Sequence, residues 1–171
     1  MNTVQILNLL HKNKYFAGVY PSDMLPRAII TKRPAGIVVN THPHTLPGEH
    51  WLAIYLPVHG PAEFFDSYGA APNNPLFPED IYDFLMRQTN EITYQRSQLQ
   101  HPLAATCGYH CVFFLQNRTK GFSFPKILKM YTGDSVGNDT MVVSFVKKLR
   151  KTKHRCPLFN PVQACLPPCN P

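Results

Sequence analysis

Apolar positions along this chain fall into blocks whose period changes, and the period predicts the elements. Thr3 to Leu10 carries Val4, Ile6, Leu7, Leu9 and Leu10 behind Asn2 or Thr3 as N-cap, the pattern of a short amphipathic helix. Tyr20 to Pro34 holds three prolines and no long apolar run, and reads as loop. Gly36 to Asn40 is a β-branched run and reads as a strand, followed by a Pro- and Gly-bearing loop from Thr41 to Gly48. Trp51 to Leu56 and Ala62 to Asp66 are nearly continuous apolar runs about the turn Pro57 to Pro61. They predict a hairpin of strands buried on both faces. A loop at Pro72 to Pro78 precedes a helix from Glu79 to Arg87, acids first and arginine last, as the helix dipole favours. Ile92 to Gln95 alternates like a strand. Thr106 to Asn117, Pro125 to Tyr131 and Asp139 to Leu149 read as three helices, the first apolar all round. The order predicts an α+β domain with a central, mostly antiparallel sheet packed with helices.

At 171 residues, with 44% hydrophobic and 16% charged residues, the chain has the composition of one globular domain plus a tail. No run approaches the roughly 18 apolar residues of a membrane span, and the first residues lack a signal-peptide pattern. An integral membrane protein and a secreted disulfide scaffold are therefore poor readings, and a reducing, intracellular milieu is expected. The net charge of +7 is local. Residues 1–140 hold 11 Lys and Arg against all 10 acids, whereas Lys147, Lys148, Arg150, Lys151, Lys153 and Arg155 stand beyond them with no acid. Pro and Cys then dominate from Cys156 onward. The expected organisation is a domain over 1–146 and a basic, then Pro/Cys-rich tail over 147–171. Such a tail suits a solvated segment or a polyanion contact such as duplex DNA.

Cys107 is the first candidate for chemistry. At the start of an apolar helix, a thiol meets free N–H groups and the positive dipole end, which favour the thiolate. Gly108 beside it leaves room for a substrate backbone to approach. Cys111, one turn deeper, reads as a small core residue. A thiolate nucleophile needs a base and an orienting group. His50 closes a polar loop just before the first hairpin strand, and Asp66 ends the second, so an antiparallel hairpin brings both to one end. His50 then faces the stretch Asp66 to Gly69. Gln100, seven positions before Cys107 at the end of a strand, can offer an amide N–H to an oxyanion, together with the N–H of Cys107. For metal, His42 and His44 form an H-x-H in a loop, and of His154, Cys156, Cys165 and Cys169 only Cys165 and Cys169 have the paired spacing of structural zinc, so no ligand is assigned.

Gly48-Glu-His-Trp51, Phe65-Asp-Ser-Tyr-Gly69, Gln100 with Pro102, and Ala105-Thr-Cys-Gly108, in that order, resemble the adenovirus protease (adenain) family. More broadly they are similar to the SUMO-deconjugating cysteine proteases of the same fold. Tyr15 to Tyr20 is also similar, and the resemblance covers roughly residues 1–146. Gly137-Asn-Asp139 and the short chain resemble the proteases of Polinton/Maverick-type elements and adintoviruses. The resemblance implies His50 as general base, Asp66 as its orienting group, Cys107 as nucleophile, Gln100 as oxyanion donor and Trp51 as a wall of the site. It implies a cysteine endopeptidase acting on viral capsid or core precursors, in host nucleus and virion. The enzyme would be monomeric, without membrane contact and without a cofactor for the chemistry. Duplex DNA and an activating peptide are its implied accessory factors, although no cysteine precedes Cys107 to couple such a peptide. Two other readings stand beside it: an isopeptidase removing ubiquitin-like modifiers, and a DNA-binding virion component with a vestigial site.

Overall fold

A computed structural model describes residues 1–27 and 29–153. Helix α1 (Thr3–Leu10) opens the chain, and Asn2 caps it with a reciprocal bond to Gln5. Strand β1 (Phe16–Pro21) leads through a short 3-10 turn (Ser22–Met24) to β2 (Ala35–Asn40). The hairpin follows as β3 (Trp51–Leu56) and β4 (Ala62–Phe65), then α2 (Glu79–Gln88) and β5 (Ile92–Tyr94). Helices α3 (Cys107–Thr119), α4 (Phe124–Leu128) and α5 (Ser135–Lys153) complete the order.

The five strands form one sheet in the order β1-β2-β3-β4-β5. The α+β expectation is met, but the sheet is evenly mixed and not mostly antiparallel. β2–β3 and β3–β4 are antiparallel, whereas β1–β2 and β4–β5 are parallel. Both parallel pairs join strands separated by a crossover or a long loop, which the hydrophobic pattern does not orient. β1 was not foreseen as a strand. Its residues are mostly half-buried, and its register against β2 shifts between Phe16 and Gly18, so its alternation is weak.

β2, β3 and β4 are buried along their whole length because both faces are covered. Val38, Trp51, Ala53, Tyr55 and Phe65 point toward α1, α3, α4 and α5. Ile37, Val39, Leu52, Ile54 and Phe64 point toward Ile81, Phe84 and Leu85 of α2. Helix α3 lies at the centre of the first layer, buried from Cys107 through Leu115 except at Tyr109, so its first turn is held against the start of the central strand β3, next to His50. Helix α5 runs unbroken across the 146/147 boundary to Lys153, with Val146 buried and Leu149 packed on the core. Lys147, Lys148, Arg150 and Lys151 are exposed on its last turns. Arg155 and the candidate zinc residues His154, Cys156, Cys165 and Cys169 lie outside the described residues. No helix among the described residues is long and apolar enough to cross a membrane.

Candidate active site

The hairpin register Ala53 opposite Phe65 and Tyr55 opposite Glu63, carried outward, sets His50 across from Tyr68. Asp66, the first residue past β4, thereby comes within reach of the imidazole. His50 Nε2 and Asp66 Oδ1 are 2.6 Å apart. Asp66 is almost wholly buried, and its carboxylate also accepts from the N–H groups of Tyr68 and Ala70 at the turn. That turn needs Gly69: its φ is +80°, and a Cβ there would lie 2.8 Å from the backbone of Arg96 and Ser97. The His50 ring packs between Tyr68 and Phe77, with centroids 5.1 and 6.5 Å away.

With Nε2 facing Asp66, the other ring nitrogen of His50 is left for Cys107, whose thiol hydrogen-bonds the imidazole. Cys107 is the first residue of α3 and 8% exposed. Burial pushes its thiol up. The bond and charge of His50, with the backbone N–H groups of Trp51 and Gly108, outweigh this and leave the thiol below its usual range. Burial pulls His50 down, but bonds to Asp66 and Cys107 raise it to about 9. Both shifts favour a thiolate–imidazolium pair over the neutral thiol and imidazole. Cys111 is different in kind. Complete burial pushes its thiol well up, and its Sγ–H donates to the carbonyl of Trp51 at 3.3 Å.

Gln100 stands in the loop between β5 and α3, five residues past Gln95, and not at a strand end as expected. Its backbone N–H bonds the carbonyl of Ser67, which ties this loop to the Asp66 turn. The carboxamide is fixed at both ends. Ser67 Oγ donates to Oε1 at 2.7 Å, and Nε2 donates to Tyr68 Oη at 3.0 Å and to the carbonyl of Ala104. Ser67 and Tyr68 are site residues that residue-by-residue reasoning passed over. Their signal was the unbroken string Phe65-Asp-Ser-Tyr-Gly69.

These groups open onto one cleft of about 800 Å³. His50, Trp51, Tyr68, Gln100 and Cys107 line it, as do Asn40 to His44 and Pro102 to Ala105. Trp51 is one wall of the cleft, with its indole N–H donating to the carbonyl of Met1 at 2.8 Å. Gly108 is not. It lies behind the cleft, where a Cβ would meet Met1 at 3.0 Å and Trp51 at 3.2 Å, so close packing and not substrate approach explains the missing side chain. His42 pairs with Glu49 and His44 with Asp23. Among the described residues no three His, Cys, Asp or Glu side chains gather as a metal site.

By sequence the chain is a distant relative of viral cysteine proteases. It is 30% identical over 109 residues to a cysteine protease of African swine fever virus (a tick isolate from Malawi), covering 54% of this chain. It is also 30% identical over 111 residues to a protein from a South African tick isolate named a SUMO-1 cysteine protease. The chain spans 38% of the length of each of these relatives. No family model matches it. Among solved structures, it is similar to an African swine fever virus protease, at a TM-score of 0.45 and 21% identity, over 61% of this chain and 40% of that one. It is also similar to the central domain of an uncharacterized Legionella pneumophila protein, at a TM-score of 0.47 and 14% identity, over 88% of this chain and 98% of that one.

Proposed function

We propose that the protein is a cysteine endopeptidase that cleaves viral precursor proteins during particle maturation. The observation that carries the reading is the buried Asp66–His50–Cys107 line, with the thiol lowered and the imidazole raised to about 9. In this reading the Cys107 thiolate attacks the scissile carbonyl, and the carbonyl electrons move onto oxygen. His50 then gives its proton to the departing amine and later takes one from the water that hydrolyses the thioester. Asp66 holds the ring in the orientation that turns the second nitrogen toward sulfur. Gln100 Nε2 and the N–H of Cys107 receive the oxyanion, which takes the place of Tyr68 Oη as an acceptor of the amide.

The same reading places capsid or core precursors as substrates, cleaved after a small, Gly-rich motif, and groups the chain with the short proteases of Polinton-type elements and adintoviruses. It works in host nucleus and virion as a monomer, with duplex DNA and an activating peptide as accessory factors. The exposed cations Lys147, Lys148, Arg150 and Lys151 supply the DNA contact, joined by Lys153 and Arg155. A second reading, removal of a ubiquitin-like modifier, is favoured by the name SUMO-1 cysteine protease that one relative carries.

The test is incubation with co-encoded capsid proteins, with mass mapping of new termini, beside a SUMO C-terminal amide substrate. New capsid termini that vanish in Cys107→Ser and persist in Cys111→Ser are expected. Cleavage of the modifier alone favours the second reading, and cleavage that survives Cys107→Ser removes both.

A further inference from the structure

The loop that joins Gln100 to Cys107 is gripped by one carboxylate on the opposite helix. Asp139, in the second turn of α5, is buried, and no step of the proposed chemistry uses it. Its Oδ2 accepts from the backbone N–H of His101 at 3.1 Å. Its Oδ1 accepts from Thr106 Oγ1 at 2.5 Å and faces His110 Nε2 at 2.9 Å. The first partner follows Gln100 directly, the second precedes Cys107 directly, and the third lies on the first turn of α3. His110 is wholly buried, and burial lowers its pKa in spite of Asp139, so it serves as a neutral Nε2–H donor whose Nδ1 meets Tyr131 Oη at 3.3 Å.

Two details make this grip more than loop packing. Thr106 is the N-cap of α3, where a threonine hydroxyl would ordinarily bond the N–H groups of the first turn. Its side chain makes no such bond and turns to Asp139 instead, which leaves the start of α3 open beside the reacting sulfur. Asn138, one residue earlier, holds the other end of the same loop, donating to the carbonyl of Leu99 at 3.0 Å. Asn138 and Asp139 thus fix both Gln100 and the helix start, the two donors expected to receive the oxyanion. They do not touch His50, Asp66 or the sulfur.

We infer that Asp139, through His101, Thr106 and His110, is a positioning residue that sets the distance between the Gln100 amide and the N–H of Cys107. The inference rests on the endopeptidase reading and deepens it. Positioning donors against developing charge acts on turnover and not on ground-state binding. The thiolate–imidazolium pair is built independently, so nucleophile formation is left intact.

The experiment compares wild type, Asp139→Asn, Thr106→Val and Thr106→Ser on a peptide cleaved by the wild type. Rates are normalised to Cys107 sites alkylated by iodoacetamide and mapped by mass. Asp139→Asn and Thr106→Val are expected to lower kcat at least tenfold with KM within twofold, and Thr106→Ser to restore it. The rate of Cys107 alkylation and its pH dependence stay unchanged. Combined with Gln100→Ala, Asp139→Asn adds less than it costs alone, because one of the two donors it positions is gone. Alkylation falling in parallel with kcat would show a general structural role and overturn the inference, as would additive losses or variants as active as the wild type. If Asp139→Asn does not fold, the Thr106 pair decides alone. A wild type alkylated at Cys107 that hydrolyses no peptide overturns the endopeptidase reading and this inference with it.

Discussion

Cys107 and Cys111 sit one helical turn apart on α3 and have opposite thiol chemistry. Cys107 meets His50 and two backbone N–H groups, whereas Cys111 is wholly buried, donates to a carbonyl and lies in the field of Cys107 and Asp66, all of which oppose its thiolate. The difference predicts a pH profile. Activity needs the thiolate and the imidazolium together. Falling pH protonates the thiolate at a pKa below the usual thiol range, and rising pH removes the imidazolium proton near 9. Peptide cleavage should therefore follow a bell whose alkaline limb lies near pH 9. Alkylation of Cys107 in His50→Ala should shift toward the pH of an ordinary thiol, and an unshifted profile would dissociate the pair. The linked stability has a definite sign. Because the folded imidazole is raised, its contribution is complete below about pH 6.5, the unfolded value, and fades as pH climbs through about 9. Gln100→Ala should lower kcat by about 10²–10³ with little change in KM, the effect of one oxyanion donor. Steady-state kinetics on a short peptide would measure it, and an unchanged kcat would take Gln100 out of the site.

Among the elements, the β3–β4 hairpin and α3 do most to assemble the site, and an ion pair fastens them together. Arg118 near the end of α3 reaches Glu63 of β4 at 2.7 Å, and its guanidinium lies 4.3 Å from the centre of the Tyr55 ring on β3. The same side chain donates to the carbonyl of Phe122. Burial pushes the Glu63 carboxyl up, although Arg118 opposes it. Removing Arg118 leaves that carboxylate without its counter-charge. Arg118→Ala should cost about 3 kcal/mol, read as a lower urea midpoint. Its stability should recover as pH falls, since a carboxyl with a raised folded pKa binds its proton more tightly in the folded state. Glu63→Gln in the same background should return part of the loss. If Arg118→Ala alone were neutral, the pair would contribute nothing to holding α3 on the hairpin.

For the molecule as a whole, charge is segregated. The body is nearly neutral, and the cations continue along the end of α5 into the tail. Cutting the chain at Val146 would not isolate their role, because Leu149 packs on the core and would leave with them. Neutralising Lys147, Lys148, Arg150 and Lys151 to alanine keeps the helix. If these residues contact duplex DNA, affinity should fall, and the log–log salt slope should shrink by up to about 3.6, roughly 0.9 per phosphate contact. Cleavage of a short free peptide should be unaffected. Unchanged DNA affinity across a salt titration would return the cations to a solvated face.

Much of this architecture was legible in the amino-acid order because it rests on local physics. Periodicity marked α1, β2, the hairpin, α2, β5 and α3, since burial of one face or both leaves its period in the chain. His50, Asp66 and Cys107 could be named from residue type, order and their place at element ends, and Gln100 from its type and order ahead of Cys107 although it lies in a loop. Tertiary structure alone decided the rest. The parallel directions of β1 and β5 depend on crossovers that hydrophobicity does not orient. Whether Gly108 faced substrate or packing depended on Met1 and Trp51, neither within van der Waals reach of it in the extended chain. The roles of Ser67, Tyr68 and Asp139 exist only as distances between segments up to 38 residues apart. A hydrogen bond needs its partner placed to a few tenths of an ångström. A one-dimensional pattern carries residue type and period, but that placement arises only when the sheet and α5 close on the loop between them.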